Sequence, residues 1–313
     1  MRILLLGSTD LTIAVGACLC EIGLAPAAVV HVQDTFSISY RRSGVRNTRH
    51  ADLDAWARGA GADSIAYAGP EDLGRRAAGF DIGLAVGWYH MIPRAVRAAM
   101  PHGVLGLHAS LLPALRGGAP LSWAILSGLQ ETGITLFQME DGVDDGDIWG
   151  QIAFPIGPRS SVAELVAAAQ DGALRLVRTV LPRIAANQAT ARPQEGEASW
   201  CLQRFPEDGA IDWRAPAIEI DRLVRAVTRP YPGAFSDLDG ERIFIWQARP
   251  LDPPVRVLGR PGQLCRLPLS PHPLVLTGGD GVLEILAADN AQGEDAMPTL
   301  LKAAHRRFSS QTP

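Results

Sequence analysis

The stretch that decides the fold lies at the start of the chain. Ile3-Leu4-Leu5-Leu6 runs into Gly7-Ser8, a helical pattern follows over 11–22, Gly23 closes it, and Ala27-Ala28-Val29-Val30-His31-Val32 is a second apolar run. A short continuous apolar run reads as a strand buried on both faces, and a glycine just past a helical pattern is a favoured stop. Strand, helix and strand in that order form the repeating unit of a parallel sheet covered by helices. The alternation continues. Strands are expected at 64–66, 81–86, 103–107 and 133–138, and helices at 51–59, 70–78, 93–100, 119–127 and 162–186. The expected fold class is α/β, doubly wound around a mostly parallel sheet. Gly7-Ser8-Thr9 is not G-x-G-x-x-G, so the first turn lacks the glycines that admit a dinucleotide pyrophosphate.

Composition changes near residue 187. Residues 187–199 are polar and contain Pro193, which suits a linker. After a helical pattern over 218–227 come short strand patterns at 235–238, 243–248, 262–267, 274–276 and 282–287, punctuated by Asp239-Gly240 and Gly278-Gly279. Several short strands at that spacing point to a smaller β-barrel-like domain. The expected division is 1–188, a linker over 189–205, and 206–313, with residues from Ala304 onward frayed.

Bulk properties narrow the class of function. The 313 residues are 47% hydrophobic and 20% charged, with net charge −4 and a single lysine, Lys302. Residues 201–313 carry 13 Arg/Lys against 14 Asp/Glu, which is no basic face for a phosphate backbone, so a nucleic-acid partner is not expected. Cys18, Cys20, Cys201 and Cys265 have neither zinc-site spacing nor the density of a disulfide framework, and read as small buried apolar residues. The apolar run before Gly7 is too short for a signal peptide or a membrane span, so a cytoplasmic protein without a membrane partner is expected. The carboxylates and histidines form no ligand cluster, and no metal is expected. A homodimer stays open.

Two segments carry the chemistry. His108-Ala109-Ser110-Leu111-Leu112-Pro113 leads to Arg116-Gly117-Gly118-Ala119-Pro120. Glu131-Thr132-Gly133-Ile134-Thr135 leads to Met139-Glu140-Asp141-Gly142-Val143-Asp144-Asp145-Gly146-Asp147-Ile148. His108 falls at the C-terminal end of an expected strand, where ligands bind in open α/β sheets. Imidazole titrates near neutral pH and serves as a general base, and a carboxylate beside it favours its charged form. Asp144 lies in a loop after the next expected strand, within reach. On residue type alone, His108 as a turn cap and Asp144 as one solvated acid among several stay open.

The pattern H-x-S-L-L-P-x-x-R-G-x-x-P, then E-T-G-I-T and D-x-G-D-I, resembles the 10-formyltetrahydrofolate-dependent formyltransferases. So do Asp208-Gly209-Ala210-Ile211-Asp212-Trp213 and Arg225–Phe235. The resemblance implies a formyltransferase fold and an enzyme that moves the formyl group of 10-formyltetrahydrofolate onto an amine. It implies that His108 takes the amine's proton and that Asp144 holds this histidine and raises its pKa. Ser110, Leu111, Leu112 and Pro113 match a loop near the folate. His90, Met91 and Ile92 match backbone that lines the pterin, as do Glu140, Asp141, Gly142 and Val143. Arg116 matches a basic residue beside the active-site loop, either anchoring that loop or touching substrate.

The resemblance breaks at Gly106, where the family carries an asparagine whose amide donates to the oxyanion. Losing one such donor costs roughly 2.7–4 kcal/mol, on the order of 100–1000-fold in rate. Glycine is expected to leave an empty volume there and a fold that tolerates asparagine. Three outcomes follow: another donor or a water replaces the amide, a different acyl donor is admitted, or the protein binds folate or a metabolite without catalysis. The expected acceptor is a small amine, first an amino-sugar nucleotide, then an amine of the hydroxyornithine type. Arg41, Arg42, Arg46 and Arg49 form either a mobile loop for a diphosphate or carboxylate, or a solvated basic loop. Trp88 and Tyr89, at a strand end, read as core rather than cleft.

Overall fold

A computed structural model describes residues 1–33, 35–38, 41–46, 50–252, 254–279 and 281–309. Side chains of residues 34–49 lie outside the described residues. The chain divides into two compact units. The first comprises Met1–Pro120, Glu131–Pro155 and Ala167–Cys201; the second comprises Leu121–Gln130, Ile156–Val166 and Leu202–Pro313.

The first unit holds strands β1 (Ile3–Gly7), β2 (Pro26–His31), β3 (Thr35–Ile38), β4 (Arg41–Arg46), β5 (Asp63–Ala66), β6 (Ile82–Val86), β7 (Val104–His108), β8 (Arg116–Gly117), β9 (Glu131–Gln138), β10 (Ile148–Pro155) and β11 (Trp200–Cys201). Its helices are α1 (Asp10–Glu21), α2 (Leu53–Gly59), α3 (Pro70–Ala77) and α4 (Arg94–Ala98). Helix α5 (Pro120–Leu126) lies almost wholly in the second unit, and α6 (Val162–Ala185) begins there and continues in the first. Seven strands form one sheet in the order β10-β9-β7-β6-β1-β2-β5. The five from β7 to β5 are parallel, and β9 and β10 add an antiparallel edge. The edge strand β10 follows the Asp-rich loop and is absent from the sequence expectation.

Alternating side chains of β1 feed both faces of the sheet, as strand geometry requires. Ile3 and Leu5 join Val29, Leu84 and Leu105 in a core closed by α1 and α6. Leu4 and Leu6 join Ala28, Val30 and Val104 in a core closed by α3 and α4. The turn after β1 is crowded: a Cβ at Gly7 would lie 2.2 Å from Thr12 Oγ1. Thr12 Oγ1 donates to Val86 O at 2.7 Å and Ser8 Oγ to Gly87 O at 2.9 Å, which fastens this turn to the end of β6. Packing, not ligand approach, accounts for the glycine. Cys20 is exposed, against the expectation that all four cysteines are buried, and all four are free. Among the described residues no helix is long and apolar enough to cross a membrane.

The second unit holds α7 (Ala217–Val227), β12 (Ala234–Leu238), β13 (Glu241–Pro250), β14 (Leu264–Cys265), β15 (Leu274–Leu276), β16 (Val282–Asn290) and α8 (Met297–Lys302). Its antiparallel sheet has the order β12-β13-β16-β15-β14. The two edges are joined by the segment expected to fray. Arg307 bridges Gln263 beside β14, and Ser309 bridges Asp237 of β12, so the last described residues close the sheet into a barrel-like ring. Phe308 is 1% exposed and stacks on Trp213 with ring centroids 5.0 Å apart. That aromatic contact gives the segment the buried area a free tail lacks. Phe308→Ala is therefore expected to destabilise the protein by about 3–5 kcal/mol, the usual cost of emptying a buried aromatic site. Urea unfolding followed by tryptophan fluorescence measures it; a midpoint equal to the wild type would mean the segment does not close the sheet.

Candidate active site

His108 is the last residue of β7 and is 7% exposed. Its Nε2 lies 2.7 Å from Leu115 O, and its Nδ1 lies 3.4 Å from Asp144 Oδ2. Asp144 sits in the loop between β9 and β10 with a left-handed backbone, φ 49°. The same Oδ2 accepts the Gly117 N–H at 2.8 Å. A carbonyl oxygen only accepts, so Nε2 is a donor in this arrangement. The carboxylate before Nδ1 is also only an acceptor.

The loop after β7 is pinned from beneath. Thr135, opposite His108 in the β7–β9 register, donates to Ser110 O at 2.7 Å and accepts Leu112 N–H at 3.3 Å. Gln151 Nε2 reaches Leu112 O at 2.8 Å and Thr135 Oγ1 at 3.0 Å. Ser110 Oγ is spent on Ala114 O at 2.6 Å. Ser110 and Leu112 are buried and turn inward, so they shape the loop, whereas Leu111 and Pro113 are half-buried.

The polar stretch 192–201, expected to be linker, lies along this loop. Ser199 Oγ accepts Leu115 N–H at 2.9 Å, and β11 pairs in parallel with β8. Gln194 joins Arg116 to the Asp144 loop. Arg116 is thereby engaged as a loop anchor, with Trp200 across its guanidinium at 5.8 Å. Cys201 Sγ donates to Leu115 O at 3.4 Å. Burial, and then the charge of Asp144, push this thiol up to about 11, so it is a neutral donor.

Arg97 of α4, which carried no signal in the sequence, ties two expected pterin walls together. It is 7% exposed; Nε donates to Ile92 O at 3.2 Å and Nη1 to Met139 O at 3.0 Å. It pairs with Glu140 at 3.0 Å and with Asp141. Among the described residues, no backbone–backbone hydrogen bond uses the peptide groups of Glu140, Asp141, Gly142 or Val143. Met91 and Val143 are exposed. His90 packs against Tyr67 at 4.6 Å and Trp88 at 5.5 Å, and burial pushes its pKa below the ordinary imidazole value. Trp88 joins the core beneath β1 and β6, whereas Tyr89 is exposed, against the core reading.

Gly106 leaves no empty volume, which corrects the sequence expectation. It pairs directly with Phe137 in the β7–β9 register. A Cβ at Gly106 would lie 2.8 Å from Phe137 Cε1, 3.1 Å from Cζ and 3.3 Å from Met139 Cγ. Phe137 is 3% exposed, and its ring stands edge-on to His108 at 6.4 Å. An aromatic edge crowds the space a side chain at residue 106 would enter. The arginine-rich stretch 41–49 lies outside the residues whose side chains are described. Among the described residues no group of three or more His, Cys, Asp or Glu is placed to hold a metal.

Two family models match the chain. "Formyl transferase" matches residues 72–181, and "Formyl transferase, C-terminal domain" matches residues 204–300. Among solved structures, HypX from Aquifex aeolicus in complex with tetrahydrofolic acid is 22% identical with a TM-score of 0.63, covering 94% of this chain and 45% of that one. The chain thus spans about half the length of the HypX chains it matches. An N-formyltransferase from Helicobacter canadensis, in complex with folinic acid and dTDP-3-aminofucose, is 14% identical with a TM-score of 0.65, covering 91% of this chain and 98% of that one. Methionyl-tRNA formyltransferase from Clostridium thermocellum is 18% identical with a TM-score of 0.55, covering 79% and 92%. At these identities the likeness is one of fold.

Gly106→Asn is expected to lower stability by roughly 1–3 kcal/mol through overpacking against Phe137. Adding Phe137→Leu should recover most of that loss in urea titration, and a stable single variant would disprove the crowding. Arg97→Ala leaves the buried Ile92 carbonyl and the half-buried Met139 carbonyl without their donor, at about 1–3 kcal/mol. Hydrogen exchange should then quicken at residues 139–142; unchanged protection there would show that Arg97 does not hold the wall.

Proposed function

The chain belongs to the formyltransferase family, and we propose that it moves the formyl group of 10-formyltetrahydrofolate to the amine of a small acceptor, with amino-sugar nucleotides first. The observation that carries this reading is the approach of His108 Nδ1 to the Asp144 carboxylate, 3.4 Å, at the C-terminal end of β7. Both residues fall within the segment that the first family model matches. The uncommitted peptide groups of Glu140–Val143 fit the cofactor, because a pterin edge is a fixed set of donors and acceptors that main-chain groups can pair. Bound there, 10-formyltetrahydrofolate supplies a formyl carbon open to an amine.

The work left to the chain's own residues is proton removal. His108 Nε2 takes an N–H proton of the acceptor amine, and Asp144 stabilises the resulting imidazolium from the Nδ1 side. For this Nε2 must carry a lone pair, with the ring's hydrogen on Nδ1 toward Asp144, and the Leu115 carbonyl, which only accepts, must give way to the amine. Support for an amino-sugar nucleotide comes from the Helicobacter canadensis neighbour solved with dTDP-3-aminofucose, and from the near balance of charge in residues 201–313. A non-catalytic folate-binding role is the second reading. The Phe137 edge packed against Gly106, in the space an asparagine side chain would enter, favours it.

The test incubates purified protein with 10-formyltetrahydrofolate and a panel of amino-sugar nucleotides and other small amines. Transfer adds one formyl mass to the acceptor, and His108→Ala should cut turnover by roughly 10²–10⁴-fold. Undiminished turnover in that variant sinks the mechanism. A rise in melting temperature with folate but no product selects the binding role, and formate released without any amine marks a hydrolase.

A further inference from the structure

We infer that Gln194 is a positioning residue that sets Asp144 against His108, a deepening that rests on the proposed function for its consequence in turnover. Gln194 lies outside any strand or helix and is half-buried. Its amide is spent at both ends. Oε1 accepts from Arg116 Nε at 3.1 Å and from Arg116 Nη2 at 2.7 Å. Nε2 donates to Asp144 O and to Gly146 O, each at 2.8 Å. A guanidinium only donates and a backbone carbonyl only accepts, so one amide orientation alone satisfies all four contacts.

The consequence runs through the backbone. Asp144 is a non-glycine residue at φ 49°, a conformation that persists only where its surroundings fix it. Gln194 holds the carbonyl of that residue, and so the direction in which its carboxylate leaves the chain. The other end of the same amide holds Arg116, the neighbour of Gly117, whose N–H is the second partner of Asp144 Oδ2. One side chain therefore sets both the carboxylate and the donor that steadies it. The segment is itself registered by the Arg192–Ile148 bridge, with N···O distances of 2.7 and 2.9 Å. A brace for Arg116 alone would need only the Arg116 half of these contacts.

The test uses the full chain labelled with ¹⁵N-histidine, with the His108 ring signals assigned through His108→Asn. Asp144→Asn defines how those signals move when the carboxylate is lost. In Gln194→Ala the ring signals of His108 should shift in that same direction while the remaining histidines keep theirs. Gln194→Glu keeps the Arg116 pairing but sets an acceptor oxygen against Asp144 O and Gly146 O, and should shift them likewise. Wild-type ring signals in a folded Gln194→Glu variant would reduce Gln194 to a brace and overturn the inference; where the alanine variant does not fold, this variant decides. In turnover, kcat should fall by roughly 10- to 100-fold, the scale of a small misplacement of a reacting group, with acceptor KM little changed. If the ring signals shift as stated while the wild type transfers no formyl group, the functional reading falls and the placement of Asp144 by Gln194 stands.

Discussion

The site depends on one carboxylate oxygen. Asp144 Oδ2 faces the imidazole of His108 and is held by the Gly117 N–H, so strand end, loop and neighbouring loop meet at a single atom. A carboxylate free to rotate would spend its charge on water. A donor at 2.8 Å limits that rotation and keeps the oxygen before Nδ1. Much of the first unit then reads as support for this contact. The parallel strands fix His108, the antiparallel edge fixes Thr135 and Gln151 beneath the loop, and the stretch 192–201 fixes the loop from its outer side.

Such support is needed because the contributing backbone is uncomfortable. Leu115, Ala119 and Asp144 all have positive φ without being glycine. Each such residue costs on the order of 1–3 kcal/mol and survives only where neighbouring contacts over-determine it. Leu115 shows how. Its N–H goes to Ser199 Oγ, and its carbonyl takes His108 Nε2 and the Cys201 thiol. The strain therefore sits at the residue whose carbonyl faces His108 Nε2. Loops stabilised by many polar contacts and little apolar burial are the parts of a protein that open most easily.

The pair His108–Asp144 was legible in the sequence because a motif preserves residue type and spacing together. The parallel sheet was legible because buried strands are continuous apolar runs. What stayed hidden has a common cause. Arg97 looks like any cation on a short helix, and Gln194 like any polar residue near a proline; their meaning lies in which carbonyls the fold brings within reach. Strand β10 was missed because its exposed and half-buried residues follow an acidic loop and do not form an apolar run. Phe308 was missed because a short segment with two bridging residues, Arg307 and Ser309, carries no periodicity. At Gly106 a glycine alone suggests a vacancy. The cross-strand register decides what fills the place, and Phe137 is visible only once that register is known.

The Leu115 carbonyl bears on how the imidazole changes role. While that oxygen sits 2.7 Å from Nε2, the ring is a donor on this side, and a donor cannot take a proton from an amine. A hydrogen bond contributes about 0.5–1.5 kcal/mol net, so displacing this one is a modest demand on ligand binding. In the proposed reaction the ring has first given its Nε2 proton to solvent and keeps a hydrogen on Nδ1 toward Asp144, so that an amine entering the place of the carbonyl gives its N–H to a lone pair. The charge that forms on the ring then has Asp144 on its far side and the apolar edge of Phe137 nearby, where fewer waters screen it. With no amide at residue 106, whatever steadies the developing oxyanion has to come from outside that position.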